Sequence, residues 1–330
     1  MIMDIKLSFV IPVYNVERYL EQCLDSLLKN ATEAVEVVMV DDGSKDGSPA
    51  ICDRYCEKYA NARVVHIPNG GNSAARNLGV EMARGEYICF VDSDDFIAED
   101  AVPKILRWME TGRADVCFLQ ATKYFPDGTT VELGEGLTGE ALRGKSREEA
   151  LAFMATCPKY PGGPWAKLLR REFLLEHGIR FPGDRRLCED LFYTLDIYTA
   201  AESFDALEFP YYFYRQNVAG SITSNVTPRY YFDKARFVTY VAETFSKDRK
   251  PLDSIGQSAL SFAAYEYTIL IWHVLSMTGE DRDRAYQFLK DYRWVLDWGK
   301  SRKTRFVRTV VRMCGLTLTA KVMDVYMRHR

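Results

Sequence analysis

The run Tyr87-Ile-Cys-Phe-Val91 is unbroken, apolar and strand-prone, and it stops abruptly at Asp92-Ser93-Asp94-Asp95. Such a run predicts a central strand of a parallel sheet, buried on both faces, because a half-exposed strand would alternate. Three carboxylates at its mouth repel one another at neutral pH unless a cation lies among them. In an extended Asp92-Ser93-Asp94 both acidic side chains point to the same side. That arrangement suits a hard cation such as Mg²⁺ or Mn²⁺, held by one or two carboxylates and completed by phosphate oxygens and water. A helix cap before Ala98-Glu99-Asp100 would account for one aspartate, not for three.

The chain before this point alternates strand and helix. Leu7–Val13 reads as a first buried strand followed by Tyr14-Asn15, and residues 16–29 carry Leu20, Cys23, Leu24, Leu27 and Leu28 at helical spacing. Val35–Val40 runs into Asp41-Asp42-Gly43-Ser44, and a helix over about 48–59 leads to a third strand, Arg63–Ile67. That strand ends in the turn-forming Pro68-Asn69-Gly70-Gly71, and the helix over 73–83 has Arg76 in its first turn. Strand-helix alternation with short loops predicts right-handed crossovers and a sheet covered on both faces. Ligands of open sheets bind beyond the carboxyl ends of the strands, so these four strand ends are expected to share one crevice.

The residues in that crevice suit a nucleoside diphosphate. Tyr14 can stack on a flat base, and Asp41 or Asp42 can accept from a ring N–H or a ribose hydroxyl. Arg76 can serve phosphate or orient the acidic group. No G-x-G-x-x-G follows the first strand and no G-x-x-x-x-G-K-[ST] occurs, which argues against a nicotinamide cofactor and a phosphate-loop ATPase. The net charge of −3 argues against a general nucleic-acid binder.

Four segments in order resemble glycosyltransferase family 2: Val10-Ile-Pro-Val-Tyr-Asn15, Val40-Asp-Asp-Gly-Ser44, Asn72-Ser-Ala-Ala-Arg-Asn-Leu-Gly79 and Phe90-Val-Asp-Ser-Asp-Asp95. The resemblance covers roughly the first two-thirds of the chain. It implies an α/β, GT-A nucleotide-sugar fold, a mostly parallel sheet flanked by helices, and inverting transfer of a sugar. It implies further that Pro12, Tyr14 and Asp42 contact the base, that Arg76 supports the pocket, and that Asp92 and Asp94 bind Mn²⁺ or Mg²⁺. Asn15, Asp41 and Ser93 join the nucleotide-binding set. Many members build bacterial surface polysaccharides, such as capsule or exopolysaccharide.

Beyond this half, Ala114–Gln120 reads as a strand, and Pro126-Asp127-Gly128 turns back into 129–133 as a hairpin. Ser146-Arg147-Glu148-Glu149 has the spacing of a capping box. Gly162-Gly-Pro-Trp-Ala-Lys-Leu168 resembles the family's acceptor segment, with glycines that let a ligand approach and with Trp165 either facing a sugar ring or packing beneath the site. Lys167 either reaches phosphate or is exposed. Glu189 and Asp190 fall in the first turn of a helix running to about Ala201, where carboxylates complement the helix dipole. The resemblance implies that Asp190 is the general base, with Glu189, Arg215 and Ser221 as further acceptor or diphosphate candidates.

The expected domains are 1–225, with a nucleotide-binding half of about 1–97 and an acceptor half of about 98–225, and a helical region 226–330 with a basic tail. Nine Lys or Arg and one Asp occur over 300–330, interleaved with Phe306, Val307, Val310, Val311, Met313 and Leu316. Such a segment either lies peripherally on an anionic membrane or docks on the acidic main domain. No signal peptide is expected before the first strand, and no apolar run is long enough to span a bilayer. The eight cysteines are scattered without C-x-x-C pairs, which suits small core residues in a reducing cytoplasm.

The leading expectation is a metal-dependent inverting glycosyltransferase. The donor is a nucleotide sugar, UDP preferred, and the acceptor a glycan or lipid-linked oligosaccharide. A sugar-phosphate nucleotidyltransferase is the second enzyme class, but Pro12-Val-Tyr-Asn15 stands where its Gly-rich loop would be. A non-catalytic binding member is the third, and Asp92, Asp94 and Asp190 argue against it.

Overall fold

The computed structural model describes residues 5–133, 136–159, 162–183, 187–218 and 226–328. Two compact units share the chain, one of residues 1–147 and 162–219 and one of residues 148–161 and 220–330.

The first unit is built on a nine-stranded sheet. Its opening half follows the alternation of the sequence: β1 (Leu7–Val13), α1 (Glu17–Leu28), β2 (Val35–Asp41), α2 (Ser48–Lys58), β3 (Ala62–His66), α3 (Asn72–Met82) and β4 (Tyr87–Phe90). The four strands are parallel in the order β3-β2-β1-β4. Every residue of β1, β2 and β4 is buried, which is why their sequences are continuous and apolar. Helix α3 lies close on β1 because residue 79 is glycine: a Cβ there would meet Val10 Cγ1 at 2.2 Å.

Pro12 sits inside the central strand β1, paired in register with Val40. It is tolerated because β4 pairs β1 only over Leu7–Val10 and closes with Val91 N–H on the Val10 carbonyl. The missing N–H of Pro12 therefore falls on the β4 side after that strand has ended.

The second half departs from a mostly parallel sheet. It comprises β5 (Phe96–Ile97), α4 (Ala101–Met109), β6 (Val116–Tyr124), β7 (Thr130–Glu132), α5 (Gly139–Leu142), β8 (Lys167–Arg170), α7 (Arg171–Glu176), α8 (Glu189–Ala200) and β9 (Phe204–Arg215), while α6 (Arg147–Met154), between α5 and β8 in the chain, belongs to the second unit from Glu148 on. Strand β8 inserts antiparallel between β4 and β6, β6 pairs parallel with β9, and β5 pairs antiparallel with β9. The sheet is thus mixed. The four residues of β8 follow a tryptophan and a 3₁₀ turn at Pro164–Ala166, too short a run for periodicity to reveal. The expected hairpin is present as β6–β7.

The second unit is mainly helical, with α9 (Pro228–Phe245), α10 (Ser254–His273), α11 (Gly279–Asp291) and α12 (Arg302–Arg328). Helix α10 is buried nearly all round, and the buried Lys234 and Glu266 form an ion pair between α9 and α10. A short hairpin, β10 (Ser246–Lys247) and β11 (Lys250–Pro251), joins these helices. Its tip, Asp248-Arg249, has φ of 51° and 64°, the left-handed pair that a two-residue turn requires. Helix α12 is interrupted at Gly315, with φ 75° and ψ 172°. No described helix is long and apolar enough to cross a membrane.

Candidate active site

The strand ends meet as their positions predict. In register, Val13 lies beside Asp41 and Asp41 beside His66. The loops beyond are tied together by short polar contacts. Asn15, itself left-handed at φ 52°, donates its N–H to Ser44 Oγ at 3.0 Å and accepts from Lys45 N–H at 2.7 Å. The Asp42 carboxylate accepts from Gly70 N–H at 2.6 Å and Gly71 N–H at 2.9 Å, and from the Asn69 side chain at 3.2 Å. Gly43 permits this: its φ is 73°, and a Cβ would lie 2.9 Å from Asn69 N.

Asp41 is turned toward β3, not into the open crevice. It is 2% exposed, accepting from Ser44 N–H at 3.1 Å and meeting His66 Nδ1 at 2.8 Å. Burial opposes its charge, but the bonds from Ser44 and His66 prevail and hold its carboxyl below the ordinary range. His66 also meets Asp53 at 3.2 Å, and the hydrogen bond to Asp41 leads in raising its pKa above the ordinary value. Asn15, Asp41 and Asp42 therefore brace the crevice wall. The free ring face is that of Tyr14, which is 49% exposed, while Pro12 is buried beneath it in the chain.

The acidic mouth of β4 is drawn to the start of α8 by one arginine. Arg76, 4% exposed, donates from Nη2 to Asp92 at 2.8 Å and from Nη1 to Glu189 at 3.3 Å, with its carbon plane 5.2 Å from the Phe181 ring. Burial works against its charge, yet the charges of Asp92 and Glu189 keep its pKa above the usual value. Arg76 is thus paired with two carboxylates of the acidic group. Phe181 stacks on Tyr193 at 3.7 Å, making the apolar backing for this bridge. Asp190 is half-buried in the next position, accepting from Leu191 N–H at 3.0 Å. Cys188, which caps this helix, is left-handed at φ 60°, a conformation costly for a side chain with a Cβ.

Asp94 and Asp95 are crowded. Burial and then the Asp92 charge push Asp94 up to about 6. Burial and then the charges of Asp94 and Asp92 push Asp95 up to about 8, against the bonds from Arg215 N–H at 2.7 Å and Tyr212 O–H at 2.7 Å. Asp95 is thereby engaged by β9, and Ser93 is buried. That leaves Asp92 and Asp94 as the half-buried carboxylates of the group. Among the described residues no group of three His, Cys, Asp or Glu is arranged as a metal cage. The donor set nevertheless fits Mn²⁺ or Mg²⁺: two half-buried carboxylates, one with its charge disfavoured by its neighbours, supply hard oxygens and leave the remaining positions to water and phosphate.

The acceptor-side candidates separate. Trp165 is half-buried and stacks on Tyr212 at 4.7 Å and Tyr214 at 5.7 Å, so packing accounts for much of its ring. Gly163 makes room for that indole, since a Cβ would lie 2.8 Å from it. Gly162 accepts from Thr194 Oγ1 at 2.7 Å, tying the segment to α8. Lys167 is not exposed: it is 0% exposed and donates to the Gly163 carbonyl, between the rings of Phe118 and Tyr198. The aromatic rings and that carbonyl offset the desolvation of its charge. Arg215 is half-buried under the acidic mouth, donating to the Asp94 carbonyl and to Gln22, each at 2.8 Å. Ser221 lies outside the described residues.

Tyr212, Phe181 and His66 hold the site together and are not apparent as site residues in the sequence. Tyr212 had a usable signal: in the strand Tyr211–Tyr214, residues 212 and 214 share a face. Phe181 has none, because its partners are 105 and 12 residues away along the chain, at Arg76 and Tyr193.

The chain belongs to glycosyl transferase family 2, whose pattern matches residues 8–178. It is 33% identical over 210 residues to the uncharacterized glycosyltransferase EpsJ of Bacillus subtilis, covering 64% of this chain and 61% of EpsJ. It is 32% identical over 216 residues to the poly(ribitol-phosphate) beta-glucosyltransferase of Bacillus spizizenii, covering 63% of this chain and 32% of that protein. The chain thus spans about three-fifths of the length of EpsJ, and likewise 62% of EpsH of B. subtilis. Residues 1–349 of S. aureus TarS, solved with UDP-GlcNAc, superpose with a TM-score of 0.71 at 22% identity, covering 98% of this chain and 92% of that one. The architecture is accordingly GT-A-like, with an additional helical region.

Proposed function

We propose that this protein transfers a sugar from a nucleoside diphosphate donor to a hydroxyl group, inverting the anomeric carbon. The observation that carries the reading is the Arg76 bridge, which reaches 113 residues along the chain to Glu189 and so brings the first turn of α8 to the acidic end of β4. Asp190 is then beside the reacting centre, while Glu189 is occupied by Arg76. Asp190 takes the acceptor hydroxyl proton, and the acceptor oxygen attacks C1 of the sugar. The C1–O bond breaks, its electrons leaving on the β-phosphate of the nucleoside diphosphate. Asp92 and Asp94 would hold Mn²⁺ or Mg²⁺, which supplies charge stabilisation to that leaving group. Tyr14 stacks on the base, with Pro12 and the Asp41–Asp42 loop shaping its pocket. Arg215 supports the acidic mouth from below, and Trp165 presents its remaining face to the acceptor.

UDP is the preferred nucleotide, a reading supported by the UDP-GlcNAc bound to the structurally similar TarS fragment. The acceptor is a glycan or lipid-linked oligosaccharide of a surface polysaccharide; among the relatives, that of B. spizizenii is named for glucosyl transfer to a polymer, poly(ribitol-phosphate). A panel of nucleotide sugars, assayed with Mn²⁺ for release of nucleoside diphosphate, tests the activity. Release of pyrophosphate from a nucleoside triphosphate and a sugar phosphate would instead assign a nucleotidyltransferase.

The basic tail fits a peripheral membrane contact at the cytoplasmic face. Val307 and Val311 are buried on one side of α12, whereas Phe306 and Met313 are 65% and 78% exposed beside the exposed Arg302 and Arg305. Each cation near an anionic surface contributes about 1 kcal/mol. Phe306→Ser/Met313→Ser should cut sedimentation with phosphatidylglycerol vesicles several-fold while leaving nucleotide binding unchanged. Equal sedimentation of variant and parent would remove this face from membrane contact.

A further inference from the structure

The second unit contains a cavity of about 400 Å³ whose walls are dominated by cations. Arg249 enters from the tip of the β10–β11 hairpin, Lys290 from the end of α11, Arg293 from the 3₁₀ segment Arg293–Trp298, and Arg308 and Arg312 from α12. Two acids share the lining. Asp291 accepts from the Gln287 amide at 2.8 Å, and Asp297 accepts from Arg312 at 2.6 Å through its carboxylate and from Arg308 at 2.9 Å through its carbonyl. Each of those arginines retains further N–H donors after one bond. Among the described residues Arg249, Lys290 and Arg293 form no ion pair with a carboxylate. The lining therefore carries a surplus of three positive charges around a space of ligand size.

The cations are not gathered along one helix. They converge from four separate elements. The hairpin that carries Arg249 is fixed in place, because Trp298 Nε1 donates to the Arg249 carbonyl at 3.0 Å and the tip holds two consecutive left-handed residues. The indole of Trp294 and the side chains of Leu296 and Val311 complete the wall, giving a partly apolar floor beneath the charges. Like charges brought together in this way repel one another, and an anion with several oxygens relieves that repulsion.

We propose that this cavity is a second anion site, which binds a phosphate or pyrophosphate group independently of the acidic mouth of β4. The arginines offer planar forks to phosphate oxygens, and Lys290 adds a point charge. A lipid headgroup and a soluble or polymer-borne phosphate share this chemistry. The site goes beyond the proposed transfer reaction and does not depend on it.

Inorganic pyrophosphate is the probe, titrated calorimetrically into the full chain at low salt with excess chelator, so that no divalent cation can hold it at Asp92 and Asp94. Saturable binding is expected, weakened at least tenfold in Lys290→Ser/Arg293→Ser and unchanged in Arg229→Ser/Arg236→Ser, which removes two exposed cations of α9. No binding at millimolar pyrophosphate, or equal affinity in parent and Lys290→Ser/Arg293→Ser, overturns the proposal. The source is read in a second arm with vesicles of phosphatidylcholine, with and without phosphatidylglycerol. Loss of sedimentation in Lys290→Ser/Arg293→Ser assigns the site to a lipid headgroup. Pyrophosphate binding without any sedimentation of the parent assigns it to a soluble or polymer-borne phosphate. The Phe306→Ser/Met313→Ser variant should retain pyrophosphate affinity, which separates this site from the membrane-facing side of α12.

Discussion

Asp190→Asn is expected to bind donor and metal as the parent does and to transfer sugar about 10²–10⁴-fold more slowly, the usual contribution of a positioned base. Asparagine keeps the volume and can still accept from Leu191 N–H, so the first turn of α8 should survive. It cannot take the acceptor proton. The neighbouring acid is a poor substitute, because Glu189 is 8% exposed and already bonded to Arg76. Burial, followed by the charge of Asp190, raises the pKa of Glu189, so replacing Asp190 should bring Glu189 back toward its ordinary value. If Asp190 served only the helix dipole, the change would cost about 0.3–1 kcal/mol of stability and leave turnover nearly intact. Steady-state rates and melting temperatures of the same variant distinguish the two, and near-parental turnover with a lowered melting temperature would overturn the base assignment.

Asp94→Asn is expected to lower nucleotide affinity in Mn²⁺ by at least tenfold and to have little effect in chelator. The carboxylate pair at the end of β4 loses half its charge, and Asp95 cannot replace it while Tyr212 and Arg215 occupy its oxygens. A proton competes with the metal at the same carboxylate. Asp94, pushed up to about 6, must be ionised to bind, so metal affinity should rise with pH through about 6 and weaken below it. Calorimetric titration of UDP at several pH values, with Mn²⁺ or chelator, checks both statements. Affinity that is the same in chelator and in Mn²⁺ would remove the metal from the account.

Much of this was legible in the sequence where a signal is local. The parallel half of the sheet follows from continuous apolar runs alternating with helical spacing, and the shared crevice follows from what ends each run. The antiparallel half was less legible, since β8 is four residues long and β5 two, and both depend on partners distant in sequence. At the site, identity of the polar residues was readable but not their allegiance. Asp41 and Asp42 sit next to each other, yet one turns to His66 and the other to the Gly70-Gly71 backbone. Lys167 shows the same limit: its sequence leaves it open to phosphate or to solvent, and its complete burial is seen only with the Phe118 and Tyr198 rings in place. Burial of a charge is decided by residues that no local pattern names.

A single displacement is expected at the junction that Arg76 makes between Asp92 and the start of α8. The most direct measurement is the anomeric configuration of the product, followed by proton NMR from the first turnover with an α-linked nucleotide sugar that the donor screen identifies. One base and one displacement predict a β-linked product from the outset. An α-linked product, formed at the parent enzyme's full rate, would contradict the mechanism.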